Sequence, residues 1–138
     1  MMKIVHLSNN DIGGAGIATV RLHSALLERG HSSSLVTMQK HSGDVNGHFQ
    51  FDSAGFLLNK FAVKLGLKKD VVKETAQKYL SGRPKGFEHF SFPFSSLDLT
   101  AHQHVKDADI VHLHWVSDGF LDWKSFFKKI KKIGRAHV

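Results

Sequence analysis

The first 38 residues constrain the fold more than any other part of the chain, because they have the pattern of a complete β-α-β unit. Apolar runs at residues 3–7 and 34–38 predict two buried strands. Residues 15–29 between them have helical spacing, and Gly30 stands where a left-handed helix stop is expected. Two strands joined by one crossover helix run parallel. The unit therefore predicts an α/β fold around a parallel sheet.

One side of the predicted first helix is apolar, and we expect this side to face the sheet. Arg21 and Glu28 lie off the apolar stripe. Burial of the stripe would leave both charged side chains in solvent. The stripe consists of Ala18, Leu22, Ala25 and Leu26.

The rest of the chain continues the alternation of strands and helices. Residues 39–50 are polar and contain glycine, which predicts a loop. The later predicted elements are helices at 53–67 and 70–80, an extended stretch at 87–94, a helical turn at 102–106, a strand at 108–115 and a helix at 120–133. A helix that follows a strand normally leads to a parallel neighbour. Residues 135–138 have the pattern of such a strand just beginning, so we expect an incomplete Rossmann-like sheet flanked by helices.

The composition is that of one globular domain, and it excludes several kinds of site. A length of 138 residues suits a single domain. The chain has no cysteine, which excludes a disulfide scaffold, a cysteine zinc site and a thiol nucleophile. No apolar run approaches the roughly 20 residues of a bilayer span. The net charge of +7 favours anionic partners such as phosphates.

A glycine-rich loop between the first strand and the first helix is the first candidate binding site. Its glycines are Gly13, Gly14 and Gly16, and they allow a sharp turn and a close backbone approach to a ligand. The N–H groups at a helix start favour an anion. Thr19 replaces the third glycine of a dinucleotide fingerprint, and no phosphate-binding lysine follows. The spacing alone fits a structural turn equally well.

The predicted strand at 108–115 carries the second candidate site. His112 and His114 share one face of the strand, and Leu113 and Trp115 share the other. We expect His114 to meet a ligand at the carboxyl end of the strand, and His112 to be a packed histidine deeper in the sheet. No third ligand is placed beside the pair by a local motif, so no metal site is predicted. The similar pair His102 and His104 is interpreted as part of a solvated turn.

The last predicted helix, at 120–133, is basic and amphipathic. Its aromatic side favours a crossover helix that covers the sheet, and its lysine side leaves open a contact with anionic lipid. The basic residues of the chain are scattered, and no nucleic-acid-binding motif occurs, so nucleic acid is not an expected partner.

Two segments resemble family 4 (group 1) glycosyltransferases. Residues 2–38 include Gly13-Gly14-Ala15-Gly16-Ile17-Ala18 and Arg21-Leu22-His23, which are similar to the bacterial "GGA-x-I-A-x-x-R-L-H" opening. Residues 108–115, followed by Gly119-Phe120-Leu121, are similar to "A-D-I-[IV]-H-L-H-W" and its following Gly-Phe-Leu. The resemblance covers about the first 38 and the last 31 residues, and it leaves residues 39–107 unmatched.

This resemblance implies the N-terminal, acceptor-side half of a GT-B fold, in which two Rossmann-like domains face each other across a cleft. Gly13, Gly14 and Gly16 then match the loop that closes over the donor diphosphate. His114 and Trp115 match positions on the wall of the acceptor cleft. The implied substrates are a nucleotide-sugar donor and a glycan or lipid-linked acceptor of cell-envelope or polysaccharide synthesis. Such enzymes typically retain the anomeric configuration and need neither a metal nor a cofactor for catalysis.

The chain departs from this family at its end. The family's next strand, of the form "W-T-L-H-D", carries an active-site histidine that would fall beyond Val138, and the nucleotide-sugar domain would follow it. We therefore expect residues 1–138 to be an incomplete N-terminal domain that is inactive alone. The implied location is the cytoplasm, at the inner face of the membrane. The alternatives are a stand-alone α/β module for a phosphorylated ligand and a basic protein bound peripherally to membranes.

Overall fold

A four-stranded, all-parallel sheet organises the protein in the computed structural model, which describes residues 1–51, 58, 61–67, 69–84 and 92–130. The strands in chain order are β1 (Lys3–Asn10), β2 (Ser32–Gln39), β3 (His48–Gln50) and β4 (Ile110–Leu113). Their order across the sheet is β3-β2-β1-β4. The α/β class with a parallel sheet is thus confirmed, and the arrangement is consistent with the Rossmann-like prediction.

The helices follow the sequence pattern in type and differ from it in their bounds. They are α1 (Gly13–Glu28), α2 (Val71–Leu80), α3 (Gln103–Lys106) and α4 (Trp123–Ile130), with a 3-10 turn at Leu99–Ala101. Positions 58 and 61–64 are also helical. Asp70 begins α2 by accepting a hydrogen bond from the Lys73 backbone N–H at 2.9 Å. Among the described helices, none is long and apolar enough to cross a membrane.

Several elements of the structure differ from the sequence prediction. The strand expected at 3–7 continues to Asn10, and the loop expected at 39–50 contains the short strand β3. β3 was missed because three residues are too few to show a periodic pattern. Parts of the predicted helix at 53–67, most of the extended stretch at 87–94 and the strand expected after residue 134 fall outside the described residues.

The hydrophobic core lies on one face of the sheet. Val5 and Leu7 of β1 point to this face, and α4 covers it with Phe126 and Ile130. The aromatic side of α4 therefore contributes to the core, while Trp123 remains 43% exposed. The other buried members come from β2, from the residue that follows β3, from α3 with the segment before it, and from the segment after β4; they are Val36, Phe51, Leu97, Leu99, Val105, Val116, Phe120 and Leu121.

The opposite face, beneath α1, is polar as well as buried, and here the predicted helix orientation is wrong. The buried residues of α1 are Gly16, Thr19 and His23, whereas Ala18 and Leu22 of the expected stripe are exposed. Thr19 and His23 can be buried at this interface because their polar atoms have hydrogen-bond partners. The Thr19 hydroxyl donates to the Ala15 carbonyl at 2.8 Å, and both His23 ring nitrogens are bonded.

β1 and β4 carry the same tetrapeptide and pair in register. Ile4-Val5-His6-Leu7 lies directly opposite Ile110-Val111-His112-Leu113 in the parallel sheet. Identical residues therefore face each other across the pair, and His6 stands opposite His112. This pairing places β4 beside β1, so the two segments that carry the family resemblance are neighbours in the sheet.

Candidate functional site

The start of α1 presents backbone N–H groups at the carboxyl edge of the sheet. Ile12 precedes the helix in an extended conformation and makes no side-chain capping bond, and the first turn contains no acidic residue. The first N–H groups of a helix have no partner within the helix and attract negative charge. Gly13 adopts φ of +70°, which turns the chain sharply into the helix. The loop therefore has the local chemistry of an anion site.

Gly16 and Gly14 differ in how closely the rest of the chain approaches them. A Cβ atom on Gly16 would lie 2.5 Å from the carbonyl carbon of Asp11 and 3.0 Å from the Asn10 oxygen. Gly16 is thus required by the chain's own backbone, whatever the loop binds. A Cβ on Gly14 would meet nothing within 4 Å. Gly14 is therefore the loop position at which a side chain would project into open space.

Asp11 holds this loop against the loop that follows β2. Its buried carboxylate accepts hydrogen bonds from the backbone N–H of His41 at 2.9 Å, the backbone N–H of Ser42 at 2.6 Å and the Ser42 hydroxyl. Burial by itself would raise the pKa of Asp11, but the hydrogen bonds from Ser42 and His41 outweigh it and lower the pKa to about 2. Asp11 is consequently an anchoring carboxylate that stays ionised.

The second candidate segment joins the same edge of the sheet through backbone contacts. The Asn9 N–H donates to the Trp115 carbonyl at 2.5 Å, and the His114 N–H donates to the Leu7 carbonyl at 2.9 Å. The Trp115 side chain is 51% exposed. The loops after β1 and β4 are therefore neighbours, and the glycine loop lies at the same sheet edge as His114 and Trp115.

Two buried polar atoms at this junction lack a partner within the described part of the chain. They are Oδ1 of Asn9, at the end of β1, and Oγ of Ser117, in the loop after β4. Buried polar atoms are normally bonded, so unsatisfied ones often mark a place that a water or ligand group occupies. These atoms make the edge of the sheet a better binding candidate than the spacing of the glycines alone.

Three histidines gather on the α1 face of the sheet: His6 of β1, His112 of β4 and His114, which directly follows β4. His6 Nδ1 lies 3.0 Å from His114 Nε2, and the ring centroids of His112 and His114 are 4.1 Å apart. Burial, followed by the nearby His114, His112 and His23 rings, lowers the pKa of His6 to about 3. Burial and His112 lower the pKa of His114 to about 4. Both rings are therefore neutral at physiological pH.

The prediction that His112 is a packed residue is wrong. His112 was expected to be the packed residue, but it is exposed, whereas His114 is partly buried and bonded to His6. The reason is that α1 packs against β1 and β2, so its side of β4 is left more open. His114 keeps its predicted place at the end of β4.

The interpretation of His102 and His104 as a solvated turn is also wrong. Both rings are half-buried, and His104 stacks on Phe49 with ring centroids 4.2 Å apart. His104 Nδ1 also lies 3.2 Å from the Ser34 hydroxyl. This second pair of histidines is therefore part of the packing around β2 and β3.

Sequence reasoning missed His6 and Asp11 as members of the site. His6 lies inside an apolar run, and its position becomes informative only when the repeated Ile-Val-His-Leu segments are placed side by side. That repeat was visible in the sequence. Asp11 was an ordinary loop acid in the sequence, because its partners lie about 30 residues away.

Comparison of the chain with protein-family models, curated proteins and solved structures found no significant match.

Proposed function

We propose that this chain is the N-terminal, acceptor-side domain of a GT-B glycosyltransferase that acts in cell-envelope or polysaccharide synthesis. The observation that carries the proposal is the meeting of the two motif-bearing segments at one edge of the sheet, where Asn9 bonds to Trp115. Asn9 and Trp115 are 106 residues apart in sequence. Ligands of open α/β sheets bind at the carboxyl ends of the strands, which is where both segments end.

The proposed chemistry is transfer of a sugar from a nucleotide-sugar. The bond between the anomeric carbon and the phosphate oxygen breaks, the acceptor hydroxyl forms the new bond and loses its proton, and the nucleoside diphosphate leaves. Backbone N–H groups around Gly13 and Gly14 and the start of α1 would stabilise the charge that develops on the diphosphate. His114 and Trp115 would line the acceptor side. The donor-binding domain and the family's active-site histidine would lie beyond residue 138.

Gly14→Val tests the role of the loop in the protein translated from the complete gene. We expect the variant to lower kcat/KM for the donor by about tenfold or more, because the valine would occupy open space at the start of α1, where the diphosphate is proposed to bind. The melting temperature should change little, since a Cβ at Gly14 meets nothing within 4 Å. Transfer of labelled sugar from a panel of nucleotide-sugars to membrane extracts measures the effect.

Gly82→Val is the matched control, because its Cβ also meets nothing within 4 Å and it lies in the loop after α2. It should retain normal transfer. A complete gene product that transfers sugar from no nucleotide-sugar would contradict the proposal, as would a Gly14→Val variant with unchanged turnover. A reading frame that stops after codon 138 would instead favour a stand-alone module for a phosphorylated ligand.

The exposed side of α4 supports a membrane contact for the same protein. Lys124 and Lys128 are exposed beside the partly exposed Trp123, a combination suited to an anionic lipid surface. We expect the chain to sediment with vesicles that contain phosphatidylserine. The double variant Lys124→Glu/Lys128→Glu should lower this binding by about tenfold or more, because each lysine near such a surface contributes about 1 kcal/mol.

The double variant Lys73→Glu/Lys78→Glu on α2 makes the same change in net charge at two exposed positions and should bind the vesicles more tightly than the α4 variant. Binding should also weaken as salt rises, because the attraction is screened. Equal losses in the two variants, or binding insensitive to salt, would count against α4 as the contact surface.

A further inference from the structure

The histidine cluster on the α1 face of the sheet has the composition of a metal site. His6, His112 and His114 each offer one ring nitrogen, and these three nitrogens lie within 4.8 Å of one another. His6 and His112 lie opposite each other in the β1–β4 pairing, and His114 directly follows β4, where its N–H donates to the Leu7 carbonyl. The geometry points to a binding site for one divalent transition-metal ion of the zinc class at these three histidines. The inference does not depend on the proposed transferase function.

The spacing of the nitrogens is close to what a tetrahedral ion requires. Zinc–nitrogen bonds of about 2.0–2.1 Å place two ligand nitrogens about 3.4 Å apart. His6 Nδ1 and His114 Nε2 are 3.0 Å apart and are bridged by one shared proton. A zinc ion could replace this proton if the two nitrogens moved apart by only a few tenths of an ångström. His112 is exposed, so its ring can rotate to supply the third bond.

The rings of the cluster can present a free nitrogen to a metal ion. An ion would bind His6 through Nδ1, the nitrogen that faces His114, while the buried Nε2 would keep its proton. Neutral imidazoles are the form that binds metal, and burial keeps the pKa of both His6 and His114 well below physiological pH.

The chemistry of the ligands selects the class of ion. Three imidazoles suit zinc, copper, nickel or iron, whereas magnesium and calcium prefer oxygen ligands. Three protein ligands also leave a fourth tetrahedral position open toward the solvent-exposed side of His112. Water or an anionic group of a ligand could occupy that position. The site would therefore be of the open type.

The chain supplies its own control in His102 and His104. This pair has the same His-x-His spacing and ring centroids 5.5 Å apart. It does not belong to a group of three metal-ligating side chains in the described part of the chain. His104 is instead occupied by Phe49 and Ser34. A metal that binds merely to paired histidines would bind to both pairs.

Calorimetric titration of the tag-free chain with zinc chloride tests the proposal, with cobalt absorption as a readout of four-coordinate geometry. We expect one ion per chain and a higher melting temperature with zinc. His112→Gln should weaken binding by about tenfold or more and remove the melting shift, while its metal-free melting stays normal because His112 is exposed. The His102→Gln/His104→Gln variant should bind zinc as the unmodified chain does. Absent saturable binding, a His112→Gln variant that binds normally, or a loss only in the 102/104 variant would each overturn the proposal.

Discussion

Replacing Gly16 with valine is expected to lower the free energy of unfolding by about 3 kcal/mol. The added Cβ would stand 2.5 Å from the Asp11 carbonyl carbon and 2.9 Å from its Cα. These are backbone atoms, and Asp11 is itself held by the loop after β2, so neither side can give way cheaply. The start of α1 must then move off the sheet. Urea unfolding followed by circular dichroism measures the loss.

Gly14→Val separates this clash from a general effect of valine at the helix start. It places the same side chain two residues earlier, where a Cβ meets nothing within 4 Å. Valine also favours a helix more than glycine does, so we expect unchanged or slightly higher stability. Unfolding of Gly16→Val and Gly14→Val at the same urea concentration would contradict the claim that Gly16 lies too close to Asp11 to carry a side chain. A loss of activity in a Gly16 variant would report on folding rather than on ligand contact.

The second large effect is expected for Asp11→Asn, at about 3 kcal/mol of lost stability at pH 7. The carboxylate accepts from two backbone N–H groups and one hydroxyl, and hydrogen bonds to a charged group are worth about 1.5–3 kcal/mol each. An amide has one oxygen for these donors, and its NH2 group would face a donor. Chemical unfolding of the variant and of Asp44→Asn compares this buried carboxyl with an exposed one on the loop after β2.

The effect of Asp11→Asn should depend on pH with a defined sign. Because the folded-state pKa is lowered from 3.8 to about 2, the unfolded chain binds the proton more tightly. The carboxyl therefore contributes about 2 kcal/mol above pH 5, and this contribution disappears as the pH falls toward 2. The stability difference between the unmodified chain and the variant should shrink over that range. A constant difference from pH 7 to pH 3 would contradict the role of the ionised carboxylate.

Protonation of buried histidines also lowers the folding stability in acid, and it begins at a higher pH than protonation of Asp11. Burial lowers the pKa of several rings, so the unfolded chain also binds their protons more tightly and stability falls as the pH drops below about 6.5. This loss is shared by the unmodified chain and by Asp11→Asn except at His48, whose Nδ1 lies 3.8 Å from the Asp11 carboxylate and whose pKa that carboxylate raises. The difference between the two proteins therefore reports on Asp11 together with its pairing to His48. The histidines concerned are His6, His23, His48, His102 and His114.

The β-α-β unit could be predicted because its signals are local. Apolar runs, a glycine-rich turn and Gly30 at φ of +78° are each encoded within a few residues, and the structure confirms the parallel pair that they imply. The orientation of α1 could not be predicted in this way. Its buried His23 is stabilised by Ser33 and by the Asn46 carbonyl, so its burial depends on residues up to 23 positions away.

The candidate site shows the same limit. The sequence predicted that Gly13, Gly14 and His114 lie near the carboxyl ends of strands, because strand alternation fixes which residues come last. It did not predict that β4 is the neighbour of β1, since the pairing joins segments 106 positions apart. Without that pairing, His6 has no connection to His112 and His114. The metal site and the junction at Asn9 both follow from this one long-range contact.

The Ile-Val-His-Leu sequence shared by β1 and β4 affects the specificity of strand pairing during folding. A strand recognises its neighbour through backbone hydrogen bonds and the side chains directly opposite. These are the same whether the second tetrapeptide belongs to this molecule or to another, and whether it comes from β1 or β4. Local pairing energy therefore does not distinguish the correct partner. The choice is made by tethering, which gives the two segments of one chain a high effective concentration for each other. A crowded solution of partly folded chains erodes that advantage, and strand exchange between molecules then competes with correct closure of the sheet.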